Sequence, residues 1–211
     1  MNALTLPRLE VVILAAGFSS RLGRPKALTR VRGISLLRRT AALAAALSPA
    51  KIIVVIPRQA TSYRIEARDI AVSFAANPRR AEGLSSSVQC GISRARYSSA
   101  VLLLPVDLPF LNYRDLSRLF SHWRASRRCV IARRVEPDAG SPRGGVPLIL
   151  PRWLYARARA VRGDVGLRDL VNGLKPAQRM LLNLPSAALD IDTPRDLRAA
   201  RRRFAGAGAA A

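Results

Sequence analysis

The fold is decided by the stretch Leu9–Lys26, which reads LEVVILAAGFSSRLGRPK. Its first six residues are almost all aliphatic or β-branched, which is typical of a strand buried on both faces of a sheet. Small residues and glycines follow, and successive amides in such a turn can form an anion-binding concavity. Arg21 and Lys26 add positive charge, one as a bidentate fork and the other as a point charge. The stretch therefore predicts a strand followed by a loop suited to a triphosphate, although it has neither the GxxxxGK[ST] nor the GxGxxG pattern.

Apolar runs and helical stretches alternate on either side of this loop. A chain of 211 residues is expected to form one domain, and the alternation predicts a single-domain α/β fold with a mostly parallel, Rossmann-like sheet. The predicted strands are Leu9–Leu14, Lys51–Ile56, Ala71–Ala75, Val101–Val106, Cys129–Arg133 and Val146–Leu150. The predicted helices are Ile34–Leu47, Thr61–Arg68, Leu84–Arg96, Tyr113–Ala125, Trp153–Val161 and Thr193–Phe204.

Two segments are rich in turn residues and lack an apolar period. Glu136–Gly145 reads EPDAGSPRGG and is interpreted as a mobile flap. Ala205–Ala211 reads AGAGAAA, and nothing in it can be buried. We therefore expect a domain over residues 1–204 and a disordered tail over residues 205–211.

The net charge of +23 comes from 36 basic and 13 acidic residues. All but three of the basic residues are arginines, and they are spread along the whole chain, a pattern of coding bias rather than of a clustered nucleic-acid-binding face. Aromatic residues, which stack on bases in nucleic-acid-binding proteins, make up only 5%. The composition does not favour nucleic acid as a partner, and it leaves a polyanionic small substrate open.

Hydropathy and cysteine content indicate where in the cell the protein is expected to lie. The longest apolar runs, Val11–Ala16 and Ala100–Val106, fall far short of the ~20 residues that a membrane-spanning helix needs. The N-terminus lacks the order of a secretory signal, and Cys90 and Cys129 are too few for a disulfide framework. These features predict a cytoplasmic protein without a membrane partner.

Acidic residues follow predicted strands at two points. Asp107 comes directly after Val101–Val106, at the carboxyl end of a parallel strand, where open α/β sheets bind ligands; its carboxylate is interpreted as a ligand of Mg²⁺, the alternative being a cap of the next helix. Asp190 and Asp192 flank one residue and are expected to point to opposite sides of an extended segment, so that only one faces the site. Asp192 precedes an arrangement in which Thr193 could be an N-cap, with Pro194 at the first helical position and Asp196 at the third; helix capping is therefore its alternative role.

The loop and four later segments resemble one family. LAAGFSSRLGRPK, Leu14–Lys26, is similar to the signature of the nucleotidyltransferases of molybdenum cofactor biosynthesis, above all their cytidylyltransferase branch. The resemblance continues with NPRRAEGLSSSVQCG (Asn77–Gly91), LPVDLPFL (Leu104–Leu111), GDVG (Gly163–Gly166) and DIDTPRDL (Asp190–Leu197). It implies the fold of the nucleotide-diphospho-sugar transferases.

The resemblance also implies a reaction and a set of site residues. CTP and molybdopterin would react to give molybdopterin cytosine dinucleotide and pyrophosphate, with Mg²⁺ as the cofactor and a molybdenum hydroxylase, or a factor that matures it, as a further partner. Arg21, Lys26 and Asp107 would be catalytic, and Asp107 and Asp192 would hold the metal ion. Asp164 and Arg168 could bind the acceptor, the alternative being an exposed pair one helical turn apart. The residues expected to bind the nucleotide are Leu14, Ala15, Ala16, Gly17, Ser19, Arg21, Lys26, Asn77, Gly83, Ser85 and Ser87.

Other functions stay open on the sequence alone. Relatives that transfer GMP carry LAGG where this chain has LAAG, so Ala16 favours CTP, but GTP or another nucleotide with a sugar phosphate or other phosphorylated acceptor is an alternative. The serines that follow Gly83 could also be plain helix caps. From a different class, the chain could be a non-catalytic nucleotide- or nucleic-acid-binding protein, although Lys26 and Asp107 favour an enzyme.

Overall fold

A seven-stranded, mostly parallel sheet runs through the protein in the order β5-β4-β1-β6-β8-β7-β9. The structure, a computed structural model, describes residues 8–95, 98–134, 143–163 and 166–207. Only β8 runs antiparallel to its neighbours in this sheet, and β2 and β3 form a separate two-stranded hairpin. The strands are β1 (Leu9–Leu14), β2 (Arg30–Val31), β3 (Ile34–Ser35), β4 (Lys51–Pro57), β5 (Ser73–Asn77), β6 (Ala100–Pro105), β7 (Cys129–Arg134), β8 (Arg143–Pro151) and β9 (Arg179–Leu182).

Helices cover both faces of this sheet, and the caps of two of them are visible in the sequence. Ser35 accepts a hydrogen bond from the Arg38 amide at the start of α1, and Asn112 accepts one from the Asp115 amide at the start of α4. Short 3₁₀ helices occupy Ser20–Leu22, Lys26–Leu28, Arg80–Glu82, Arg152–Leu154 and Pro185–Ala187. The α-helices are α1 (Leu36–Ala45), α2 (Thr61–Glu66), α3 (Leu84–Arg94), α4 (Tyr113–Ser126), α5 (Tyr155–Ala160), α6 (Gly166–Asn172) and α7 (Pro194–Ala207).

The core consists of two layers separated by the sheet. Side chains of β1 alternate between them, so that Val11 and Ile13 pack with α1, α2 and α4, whereas Val12 and Leu14 pack with α3, α5 and α6. A β-carbon on Gly91 of α3 would lie 2.3 Å from a methyl carbon of Val12, so this glycine allows α3 to approach β1 closely. The central strand that precedes the predicted phosphate loop is thus fixed on both faces.

The predicted α/β class and mostly parallel sheet are confirmed, while several boundaries differ. The first helix begins at Leu36 and not at Ile34, because Ile34 pairs with Val31 in the hairpin. The third predicted strand lies two residues later, at Ser73–Asn77, and the β9 strand and α6 helix were not predicted. Both are short elements whose position depends on the packing of the whole domain.

The predicted flap and tail are only partly covered by the described residues. The flap prediction is wrong for residues 143–145, which belong to β8. A β-carbon on Gly144 would lie 2.4 Å from the Ile131 side chain, so this glycine-rich stretch serves close strand packing. The rest of the predicted flap lies outside the described residues. The last helix continues to Ala207, past the expected end of the domain, and residues 208–211 lie outside the described part of the chain.

Within the described ranges, none of the helices combines the length and the apolar character that crossing a bilayer requires.

Candidate active site

A cavity of about 600 Å³ opens at the carboxyl ends of the parallel strands β1 and β6. This is the edge at which open α/β sheets bind ligands. Most of the residues that the sequence singled out line this cavity: Leu14, Ala15, Ala16, Gly17, Ser19, Arg21, Lys26, Gly83, Ser87, Asp107, Arg168, Asp190 and Asp192. Asn77 and Ser85 are not in the lining, and Asp164 lies outside the described residues.

The loop after β1 is held in shape by its own serine. Ser19 adopts the left-handed conformation, with φ of 57°, and its hydroxyl accepts a hydrogen bond of 3.0 Å from the Lys26 amide. This bond closes the loop and fixes the place at which the Lys26 side chain leaves the backbone. Among the described residues, no hydrogen bond engages the amides of Ala16, Gly17 and Phe18, so these donors are available to an anion in the cavity.

Four charged side chains meet at the end of this loop. The ammonium group of Lys26 donates to Asp107 Oδ2 at 3.0 Å and to Asp192 Oδ1. Arg21 donates to the other oxygen of Asp192 at 2.5 Å. The two carboxylates therefore converge on one point, 81 and 166 residues away from Lys26 along the chain.

Burial and pairing act in opposite directions on this cluster. Burial alone would lower the pKa of Lys26, but the attraction of Asp107 and the hydrogen bonds to both carboxylates outweigh burial and raise the pKa of this lysine above its ordinary value. Burial alone would raise the pKa of Asp192, but Lys26 and Arg21 together hold it below the usual range. At neutral pH Lys26 and Asp192 are therefore both charged.

A single backbone hydrogen bond brings the C-terminal motif to the site. The amide of Ile191 donates to the carbonyl of Asp107 at 2.9 Å, and the Ile191 side chain is completely buried with residues of α1 and α7. Asp190 and Asp192 both line the cavity, and the carboxylate of Asp192 is the one that contacts Lys26 and Arg21; that only one of the two carboxylates faces the site stays a prediction. That prediction assumed an extended strand, whereas the segment is irregular.

The helix-capping roles considered as alternatives for Asp107 and Asp192 are filled by other residues. Thr193 caps α7 by accepting from the Asp196 amide at 3.3 Å, and the Asp196 carboxylate accepts from the amides of Asp192 and Thr193. The predicted N-cap at Thr193 is thus confirmed. Helix α4, which follows Asp107, is capped by Asn112. The carboxylates of Asp107 and Asp192 face Lys26 and not a helix end.

The serines at the start of α3 divide into lining and supporting residues. Ser87 lines the cavity. Ser85 donates to the Gly163 carbonyl at 2.5 Å, and buried Asn77 donates to the hydroxyls of Ser86 and Ser87. The structure therefore places Asn77 and Ser85 as supports behind the cavity wall, in contrast to the contact role predicted for them. Gly83, with φ of 87°, has a conformation that side chains rarely adopt, and it turns the chain into this helix.

The carboxylates suit a hard divalent cation with few protein ligands. No group of three or more histidine, cysteine, aspartate or glutamate side chains is arranged for a metal ion within the described residues. Mg²⁺, however, is commonly held by one or two carboxylates together with substrate phosphates. Asp107 and Asp192, whose oxygens already converge on one cation, match that donor set.

Phe18 and Arg80 are two of several cavity residues that were not predicted from the sequence. Phe18 and Arg80 both line the cavity, and the guanidinium carbon of Arg80 lies 4.1 Å from the centre of the Phe18 ring. No pattern distinguishes Arg80 from the many other arginines of the chain. An aromatic residue inside a loop of small residues was the one available signal for Phe18.

Comparisons with known proteins agree with this geometry. The model of the family described as the MobA-like NTP transferase domain matches residues 11–179. A curated relative, the probable molybdenum cofactor guanylyltransferase of Rhodopirellula baltica, is 28% identical over 195 residues and covers 90% of each chain.

Solved structures share the fold. Rv0371c of Mycobacterium tuberculosis superposes with a TM-score of 0.76 at 24% identity, covering 94% of this chain and all of that one. A complex of Rv0371c with manganese gives a TM-score of 0.74 at 21% identity, covering 92% of this chain and 98% of that one. Since the family model spans most of the sheet together with the loop and Asp107, the chain belongs to the MobA-like NTP transferase family and is a nucleotidyltransferase.

Proposed function

We propose that the protein transfers CMP from CTP to the terminal phosphate of molybdopterin and releases pyrophosphate. The observation that carries the proposal is the convergence of Asp107 and Asp192 on Lys26 beside a loop with three available amides. This arrangement places positive charge and hydrogen-bond donors where a triphosphate would lie, and carboxylates where a metal ion would join it.

The chemistry asks for positioning and charge neutralisation. An oxygen of the acceptor phosphate attacks the α-phosphorus of the nucleotide and forms a new P–O bond, while the bond from that phosphorus to the bridging oxygen breaks and pyrophosphate leaves with the electron pair. The acceptor phosphate is already ionised, so no side chain has to remove a proton. Arg21 and Lys26 stabilise the negative charge that grows on the departing phosphates.

The ion pairs of Lys26 and Arg21 with Asp107 and Asp192 keep both cations positioned at the cavity before a nucleotide binds. Lys26 is buried apart from about a sixth of its side chain, so its interaction with phosphate oxygens is weakly screened. Asp107 and Asp192 would hold Mg²⁺. That ion, when bound, would neutralise phosphate oxygens and align the two substrates. The manganese complex of the structural neighbour supports a divalent cation in this fold.

Ala16, in the loop after β1, is the residue that bears on whether CTP or GTP is the substrate. Ala16 is almost fully buried and lines the cavity, and the resemblance to relatives with LAGG at this place supports CTP for a chain with LAAG. GTP is the second candidate, which the name of the Rhodopirellula baltica relative favours. The same resemblance supports a molybdenum hydroxylase, or a factor that matures it, as the recipient of the product. The low cysteine content supports the cytoplasm as the location.

A matrix of substrates tests the proposal. Pyrophosphate release is measured for the four ribonucleoside triphosphates, each with molybdopterin and with a panel of sugar phosphates, in the presence of Mg²⁺ or Mn²⁺. We expect turnover with CTP and molybdopterin, with kcat/KM about tenfold or more above that for GTP. A GTP preference would make the guanylyl candidate correct. Faster turnover with a sugar phosphate would replace molybdopterin as the acceptor.

A further inference from the structure

Phe18 and Arg80 connect two loops across one side of the cavity. Phe18 lies in the loop after β1, and Arg80 begins the 3₁₀ helix after β5. In the sheet, β4 separates these two strands, so the Arg80 side chain reaches across the end of β4 to lie over the Phe18 ring at 4.1 Å. Phe18 is 56% exposed although it is a large apolar side chain. Its contact with a guanidinium group inside a ligand cavity is a cation–π interaction of the kind that fixes the position of a cation.

The charges of the cavity leave Arg80 without a carboxylate partner. Arg21 and Lys26 are both engaged by acidic side chains. Among the described residues, by contrast, no aspartate or glutamate lies within ion-pair distance of Arg80. Its neighbour Arg79 pairs with Glu82 and Gln89 and does not line the cavity. Arg80 is therefore a cavity cation whose charge is not compensated by the protein.

A polyphosphate is the ligand that fits this group. The guanidinium fork binds phosphate oxygens with two parallel hydrogen bonds. Phe18 directly follows Ala16 and Gly17, which line the cavity and whose amides have no hydrogen-bond partner among the described residues. A nucleobase offers this fork no full negative charge, whereas the β- and γ-phosphates do. A cation already held over the cavity also loses less side-chain entropy when a ligand arrives.

From this geometry we infer that Arg80 is a further nucleotide-binding residue, which contacts the β- and γ-phosphates, and that Phe18 is a positioning residue that holds its guanidinium over the cavity. The inference rests on the proposed function, because it takes a nucleoside triphosphate as the occupant of this cavity. It assigns a role to two residues that lie on different loops and act as one unit.

Binding measurements on four variants test the inference. Dissociation constants for CTP, GTP, CMP and pyrophosphate are measured by calorimetry with excess Mg²⁺ for the wild type, Arg80→Ala, Phe18→Ala, the double variant and Arg80→Lys. We expect Arg80→Ala to weaken CTP and pyrophosphate about tenfold each, which corresponds to ~1.4 kcal/mol, and to leave CMP within about twofold. Arg80→Lys keeps the charge but loses the fork, so it should recover only part of the affinity.

The Phe18 variants separate positioning from contact. Phe18→Ala should weaken pyrophosphate about threefold, and the double variant should bind as Arg80→Ala does, because Phe18 acts through Arg80. Arg58→Ala is the matched control, since Arg58 is exposed at the end of β4 and is not in the cavity lining. Melting curves of all variants should coincide with that of the wild type, because both side chains lie at the cavity surface.

The outcomes distinguish this inference from the proposed function. Unchanged pyrophosphate and CTP affinities in Arg80→Ala, or equal losses for CMP and CTP, would overturn the role of Arg80. Additive losses in the double variant would overturn the positioning role of Phe18. If the wild type binds pyrophosphate but neither CTP nor GTP, and Arg80→Ala weakens pyrophosphate binding, the proposed function is wrong while Arg80 is still a residue that binds polyphosphate.

Discussion

Replacing Lys26 by methionine keeps much of the side-chain volume and removes the charge between Asp107 and Asp192. For nucleotidyl transfer, we expect kcat/KM to fall about a hundredfold. This corresponds to ~3 kcal/mol of lost transition-state stabilisation, which is typical when one preorganised electrostatic donor is removed. The stability of the folded protein should also change, because the carboxylates of Asp107 and Asp192, which both contact the Lys26 ammonium group, are left facing one another without a cation. Two unit charges about 5 Å apart repel by about 3 kcal/mol at an effective dielectric constant of ~20.

The measured loss of stability should be smaller than this repulsion. Both carboxylates retain about a quarter of their exposure, so they can separate and become hydrated, and we expect the free energy of unfolding to fall by about 1–2 kcal/mol at pH 7. Added Mg²⁺ should restore part of this stability, because the two carboxylates are then available to the metal ion.

The pH dependence of the difference follows from the pKa of Asp192. In the wild type this pKa is lowered, with Lys26 as the main counterweight to burial, so its stabilising contribution is present at neutral pH and is lost as the pH falls through the folded-state pKa. The stability gap between wild type and Lys26→Met should therefore close in acid. Urea denaturation between pH 3 and pH 8, with pyrophosphate release at neutral pH, measures both effects.

Lys175→Met serves as the control, since Lys175 is exposed and outside the cavity lining. A loss of kcat/KM below threefold in a folded Lys26→Met protein would refute the electrostatic role of Lys26. A stability gap that persists unchanged at pH 3 would refute the assignment of the destabilisation to the two carboxylates.

Three further substitutions probe other parts of the structure. Asp107→Asn should nearly abolish Mg²⁺-dependent pyrophosphate release and shift the free energy of unfolding by less than about 1 kcal/mol, which a Mg²⁺ titration and a melting curve check; normal turnover at low Mg²⁺ would contradict the metal role. Gly91→Ala should destabilise the protein by about 1–3 kcal/mol through overpacking against Val12, and a second change, Val12→Ala, should recover part of this loss in urea denaturation. Glu10→Gln should stabilise by about 1 kcal/mol at pH 7, because burial raises the pKa of Glu10 and its Oε2 finds no partner in the described structure; since a raised pKa penalises folding only where the carboxyl is ionised, the gain should vanish below about pH 4.

Most of the fold, and the phosphate loop, could be predicted from local sequence patterns. The strand Leu9–Leu14 agrees with its predicted limits to the residue, because an apolar run followed by glycines has one interpretation in an α/β chain. Lys26 and Asp107, which both line the cavity, could be predicted as site residues for a similar reason, since each stands at the end of a recognisable local segment. The N-cap at Thr193 is also a local feature.

Contacts between distant segments could not be predicted in this way. That Asp190 and Asp192 both line the cavity depends on a backbone bond between Ile191 and Asp107. The supporting role of Asn77 depends on which way α3 turns its serines, and the reach of Arg80 depends on the order of β5, β4 and β1 in the sheet. Each of these is a property of the assembled domain and leaves no local trace in the sequence.

The hydrogen bond from Ile191 to Asp107 joins two parts of the chain that contribute separately to the cavity. All seven strands of the central sheet end at or before Leu182, so Asp192 comes from a segment outside the sheet, the one that leads into α7. A substitution in α7 that leaves every strand pairing intact can therefore still displace the carboxylate that Lys26 and Arg21 contact. Damage at the far end of the sequence would then act on the cavity without touching the phosphate loop.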